Sequence, residues 1–134
     1  MSELHGHSRL GRADRLRGKE TFGRIFREGN GLRRGQLVAK YCTNSSSTSS
    51  VAAAFVVRRS AGTAVRRNRL RRLVREAYRL ERAQFLGLLP NGTVLELVLL
   101  WSGSPAEALR PQFDEVHRDV RDALRGLAHR LRRS

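Results

Sequence analysis

The sequence predicts a mixed α/β (α+β) two-layer sandwich, helices packed on a small sheet, in a single domain spanning residues 1–134. Three observations predict it. Several segments repeat apolar residues at the three-and-four spacing of amphipathic helices, and shorter runs have the apolar, β-branched character of strands. The two kinds alternate without an internal repeat. At 134 residues and 40% hydrophobic composition, the chain can build one core but not two of ordinary size.

Residues 1 to about 12 mix Gly, Ser, His and Arg without a period and read as a mobile basic arm. From Lys19 to Glu28, Phe22, Ile25 and Phe26 share one side of a short helix that Gly29, Asn30 and Gly31 stop. Leu37 to Thr43 and Val51 to Val57 read as strands joined by a flexible Ser/Thr loop over 44–50. Asn68 to about Phe85 reads as a long helix. Its apolar face carries Leu70, Leu73, Val74, Ala77 and Leu80, and its other side carries Asn68, Arg71, Arg72, Arg75, Arg79 and Arg82. Glu81 falls on the apolar side and breaks the pattern, which fits fraying near the helix end.

Pro90, Asn91 and Gly92 make a turn before the apolar strand Thr93 to Trp101. Ser104, Pro105 and Glu107 then have the form of a capping box with a first-turn proline, and Pro111 re-initiates the helix. Phe113, Val116, Val120, Leu124, Leu127 and Leu131 stripe the last helix, on which His117 and His129 read as surface residues.

Lys plus Arg total 27 against 12 Asp plus Glu, a balance of +15 that repels itself unless a polyanion is bound. Subtracting the two lysines, Lys19 and Lys40, leaves 25 Arg. Their planar forks suit phosphate, although a codon bias would give the same ratio. Cys42 is the only cysteine, so no disulfide framework or zinc-thiolate cluster is expected, which fits a reducing, cytoplasmic setting. The N-terminus shows no apolar signal region, and the run Val94 to Trp101, interrupted by Glu96, is too short to span a bilayer; no membrane partner is expected.

Between Arg58 and Arg82 there are ten Arg and two acids, Glu76 and Glu81. A solvated helix would interleave acids at i+4, so this face reads as a polyanion surface. Gly62 leads the chain into that helix, where backbone N–H groups and the positive dipole end would add to the Arg charge.

At these residues the chain resembles the protein subunit of bacterial ribonuclease P. The likeness runs through Gly62-Thr63-Ala64-Val65, Arg67-Asn68-Arg69-Leu70-Arg71-Arg72 and Arg75-Glu76-Ala77-Tyr78, about seventeen positions. Arg15-Leu16 followed by Phe22 and Phe26 is similar to the family's N-terminal pattern. The resemblance implies a four-stranded sheet, a left-handed βαβ crossover containing the basic helix, and a ribosomal protein S5 domain 2-like fold. It implies an enzyme whose catalytic site belongs to an RNA subunit, which removes the 5′ leader of precursor tRNA using magnesium held mainly by that RNA. By position, Arg58, Arg59, Arg66, Arg67, Asn68, Arg69, Arg71, Arg72, Arg75 and Arg79 would bind RNA. Phe22, Phe26 and Lys40 would line a cleft for the leader.

The chain departs from the family pattern at several positions. Arg58-Arg59-Ser60 stands where Ser-Lys-Lys is common, Thr63 where Asn is usual, and Leu37 and Lys40 where aromatics are frequent, with Tyr41 one place out of register. Trp101-Ser102-Gly103 replaces an Arg near Pro105-Ala106.

A self-sufficient nuclease needs clustered carboxylates or a partnered His. Asp114, Glu115, Asp119 and Asp122 lie among Arg118 and Arg121 in the layout of an ion-paired helix surface, and His5 and His7 lack a fixed third ligand. No catalytic or metal-ligating residue is therefore assigned. Phe22 and Phe26 have helical spacing that suits core packing as well as base stacking. Two other readings stay open: a general RNA-binding or ribosome-associated basic protein, and a protein-only nuclease.

Overall fold

A computed structural model describes residues 18–103 and 113–133. Along it run α1 (Lys19–Glu28), β1 (Asn30–Arg34), β2 (Leu37–Ser45), β3 (Ser50–Val57), a 3-10 turn (Arg59–Ala61), α2 (Ala64–Leu88), β4 (Thr93–Trp101) and α3 (Phe113–Arg133). The N-terminal arm with its His5 and His7, Arg15-Leu16, and the capping box with Pro111 lie outside the described residues.

The strands form one open mixed sheet in the order β1-β2-β4-β3. β1 pairs antiparallel with β2, and β2 with β4, whereas β3 and β4 are parallel. Parallel neighbours cannot be joined by a hairpin, so the chain must cross over between them, and α2 is that crossover. Residues alternate across the sheet. Leu37, Ala39, Tyr41, Val51, Ala53, Val57, Leu95, Leu97, Leu99 and Trp101 face one buried core with α2 and α3. On the other face α1 lies against β2 and β4, with Ile25, Val98 and Leu100 buried. There Arg24 Nη2 donates to Glu96 Oε1 at 2.6 Å.

β1 was not expected as a strand from its residues, because Asn30 and Gly31 read as a helix stop and only Leu32 in it is buried. Pairing with β2 across a two-residue turn makes it a strand, and Gly35 at φ 57 supplies the positive φ that such hairpin turns use. A side chain there would also collide with the Asp119 carboxylate, which accepts from Gln36 N at 3.1 Å. Asp119 is accordingly buried and holds the hairpin onto α3, while its Oδ1 keeps the expected pairing with Arg118 Nε at 3.5 Å, so it is ion-paired but not on the exposed surface. Of the 44–50 stretch, Asn44 and Ser45 belong to β2 and Ser50 to β3. Ser49 Oγ accepts from Gly92 N at 2.9 Å and Thr93 N at 3.2 Å, tying this connection to the turn before β4.

α2 starts four residues earlier than its apolar period indicated and ends at Leu88. Its buried residues are Leu70, Val74, Ala77, Tyr78 and Phe85, while Leu80, expected in the core, is 50% exposed. The buried stripe is therefore turned toward Tyr78 and Phe85. Glu81 lies within it and is not frayed. Glu81 Oε2 and His117 Nε2 of α3 lie 2.6 Å apart, so His117 joins two helices instead of standing alone on the surface. In α3, Val116, Val120, Leu124 and Leu127 are buried as expected. Two substitutions test the turned face by urea denaturation. Leu80→Ser should change stability by no more than about 0.5 kcal/mol, whereas Phe85→Ala should cost about 3–5 kcal/mol.

Candidate nucleic-acid interface

The interface begins where β3 ends. Arg58 and the 3-10 turn carry the chain off the sheet, with Ala61 N donating to Arg58 O at 2.9 Å. Gly62 follows at φ 132, a backbone region open to glycine, and its lack of a side chain lets the Arg66 stem lie over it. Thr63 is the N-cap of α2: its Oγ1 accepts from Arg66 N at 3.3 Å and its carbonyl from Arg67 N at 2.9 Å. Thr and Asn both cap helices through a side-chain oxygen, which accounts for Thr63 at a position where the family usually has Asn.

Helices favour acids in the first turn, where they offset the positive dipole end. α2 has none there and instead carries Arg66 and Arg67, with Arg69 just beyond. Dipole and side chains thus add up to a positive field that an approaching anion relieves.

Along the helix, Asn68, Arg71, Arg72, Arg75, Arg79 and Arg82 fall within an arc about 100° wide, at about 100° per residue. Arg66 to Arg79 extends about 20 Å along the axis, room for about six phosphates at the spacing of one strand of a duplex. Arg58, Arg59, Arg66, Asn68, Arg72 and Arg75 are exposed; Arg67, Arg69, Arg71 and Arg79 are half-buried. Arg71 Nη1 donates to Asn68 Oδ1 at 2.8 Å, which orients both side chains. Arg79 pairs with Glu76 through Nε at 3.0 Å and through Nη2. The Arg79 hydrogen bond holds the Glu76 carboxyl below its ordinary range, and the same bond raises the guanidinium. One of the two acids on this stretch therefore offsets one Arg.

The residues expected at a leader cleft are on the opposite face of the sheet from the core. Phe22 is half-buried and Phe26 is 40% exposed, so neither is sealed in the interior. Lys40 is half-buried on β2, against which α1 packs, and its stem covers Gly31. Ala52, Ala54 and Val56 of β3 share this face by register with Glu96 and Val98, and are half-buried. Sequence reasoning missed them because every residue from Val51 to Val57 is apolar, so alternation gives no signal. Among the described residues, no group of three or more His, Cys, Asp or Glu side chains could hold a metal ion. No described helix is long and apolar enough to cross a membrane.

A sequence profile of the Ribonuclease P family matches residues 10–128. The chain belongs to the ribonuclease P protein family. It is thus the protein part of a tRNA-processing ribonucleoprotein enzyme, which favours that reading over a general RNA-binding protein. The ribonuclease P protein component of Thermotoga maritima is 33% identical over 121 residues, covering 90% of this chain and 93% of that one. The structure of the RNase P protein from Thermotoga maritima aligns with a TM-score of 0.63 at 30% identity, over 84% of this chain and 96% of that one. The Staphylococcus aureus RNase P protein, at 17% identity and a TM-score of 0.61 over 87% and 96% of the two chains, shares the fold.

Glu76→Gln removes one negative charge from the α2 face and should steepen the log–log salt dependence of RNA affinity by up to about 0.9. Because the folded-state Glu76 carboxyl is depressed, its ion pair persists as pH falls through the ordinary carboxylate range and is lost only below it. The difference in salt slope between wild type and Glu76→Gln should therefore be the same at neutral and mildly acidic pH.

Proposed function

We propose that this chain docks the catalytic RNA subunit of ribonuclease P on the cationic face of α2, within the cytoplasmic endonuclease that removes the 5′ leader of precursor tRNA. The observation that carries this reading is the entry to α2, where Thr63 caps a helix whose first turn has no acid and whose Arg side chains continue for about 20 Å. Such a helix is built for phosphate at some cost to its own electrostatics.

In this reading Arg58, Arg59, Arg66, Arg67, Asn68, Arg69, Arg71, Arg72, Arg75 and Arg79 neutralise and orient the RNA backbone. Phe22, Phe26 and Lys40 meet the leader on the opposite sheet face. The exposure of Phe26 supports a contact there, since a residue serving the core alone would be covered. The chemistry is hydrolysis of a phosphodiester by a magnesium-activated water. Magnesium held mainly by the RNA subunit would supply that water. The chain's own contribution is charge neutralisation and positioning, which lets two polyanions approach each other.

With about six phosphates neutralised, RNA affinity should fall with salt at a log–log slope of roughly −4 to −5. A slope near −1 would contradict the docking role. R72Q/R75Q should flatten the slope by about 1.4–1.8, counting about 0.7–0.9 for each lost phosphate contact. Cleavage of precursor tRNA by the catalytic RNA at low magnesium should depend on this chain, and independence would overturn the proposal. Phe22→Ala separates the two sheet-face roles: it should weaken leader affinity, whereas a loss of stability with unchanged affinity assigns Phe22 to packing.

A further inference from the structure

A second cationic site lies away from α2, where the C-terminal part of α3 meets the edge strand β1. There a recess of about 360 Å³ is lined by Leu32, Arg34, Gly126, His129, Arg130 and Arg133. None of these lining residues is acidic, and all three arginines are exposed. Arg130 Nη1 donates to Gly31 O at 2.9 Å and to Tyr41 Oη at 3.2 Å, which fixes one wall. Arg34 Nη1 donates to Arg33 O at 2.8 Å, and Arg34 Nη2 lies 2.8 Å from the position of a Cβ on residue 126. Glycine at 126 therefore leaves the space through which the Arg34 guanidinium reaches α3.

Cations in a last helical turn also balance the helix dipole, and Arg130, Arg132 and Arg133 do so here. That role requires neither Arg34, which comes from β1, nor a glycine in mid-helix, which costs about 1 kcal/mol relative to Ala. The convergence of Arg34, Arg130 and Arg133 on one recess matches the fork geometry by which Arg grips phosphate oxygens.

The recess is also separate from the α2 face. β1 and β3 are the two edges of the sheet, three strand spacings or about 14 Å apart, and α3 stands between β1 and α2. We propose that this recess is a second RNA-phosphate site, so that one copy of the chain holds two RNA segments at once. The lining has no aromatic platform besides His129, so the site takes backbone and not bases. This inference goes beyond docking on α2 but rests on it, since bridging needs both surfaces.

The test is a bridging assay with the full-length chain. A biotinylated hairpin RNA is immobilised and saturated with protein, and capture of a dye-labelled copy of the same hairpin is measured. The wild type should capture it. R34Q/R133Q removes two phosphate contacts from the recess and none from α2, so it should lose capture by about tenfold or more while binding the first hairpin within about threefold. Gly126→Asp is the second variant. It places a carboxylate in the recess, and the three atoms nearest its Cβ are side-chain atoms of Arg34 and Leu32, so it should also abolish capture. Undiminished capture in either variant would overturn the site, since bridging would then come from the leader-binding sheet face or from α2 surfaces of associated copies. Failure of α2 docking would appear instead in R72Q/R75Q, as unchanged affinity for the first hairpin. Capture of polyglutamate as readily as RNA would overturn RNA as the occupant.

Discussion

Repulsion between guanidinium groups along α2 is the constraint around which the rest of this fold is arranged. Arg67–Arg71, Arg71–Arg75 and Arg75–Arg79 are like-charge pairs at i+4, each unfavourable by about 0.2–0.5 kcal/mol in an isolated helix. The positive dipole end adds to the strain, and one Glu76–Arg79 pair offsets little of it. What holds the helix is its other face. Each large side chain among Leu70, Val74, Tyr78 and Phe85 contributes about 1.5–3 kcal/mol on full burial, so packing outweighs repulsion. The helix can carry its charge because the sheet and α3 hold its back.

The sheet order makes that possible. Parallel pairing of β3 with β4 forces a crossover, and the crossover is the basic helix itself. Gly62 and Thr63 turn the chain straight from β3 into α2, so the most cationic segment starts at a fixed edge of the sheet. α1 lies against the face away from the core, which leaves Phe26 exposed and the small side chains Ala52 and Ala54 half-covered. One sheet thus supports a charged surface on its helical side and a mildly apolar one on the other. These differ in what they suit: phosphate in the first case, bases or an extended strand in the second.

Polar links between elements complete the arrangement. Asp119 fastens the β1–β2 hairpin to α3, and Glu81 with His117 fastens α3 to α2. Glu81 looks misplaced when α2 is considered alone, and Asp119 looks like an ordinary ion-paired residue of α3. Their partners come from elsewhere in the chain, 83 residues away for Gln36 and Asp119 and 36 residues away for Glu81 and His117.

By itself the sequence determined the types of the three helices and of strands β2, β3 and β4, the boundaries of α1, the apolar stripe of α3 and the cationic character of α2. These depend on local periodicity and on charge, and both can be counted along the chain. It also carried the family through a run from Gly62 to Tyr78 in which most residue types are specific. Only the tertiary structure decided that β1 is a strand, since a segment with one buried side chain becomes a strand by hydrogen-bonding to a neighbour. It likewise decided which way α2 is turned. Leu80 and Phe85 both lie near the edge of the apolar stripe, and the positions of β3 and α3 determine which is covered. The face of β3 left half-open was undecided for a similar reason: Ala52, Ala53 and Ala54 are chemically identical, and only register with β4 assigns Ala53 to the core and its neighbours to the other side.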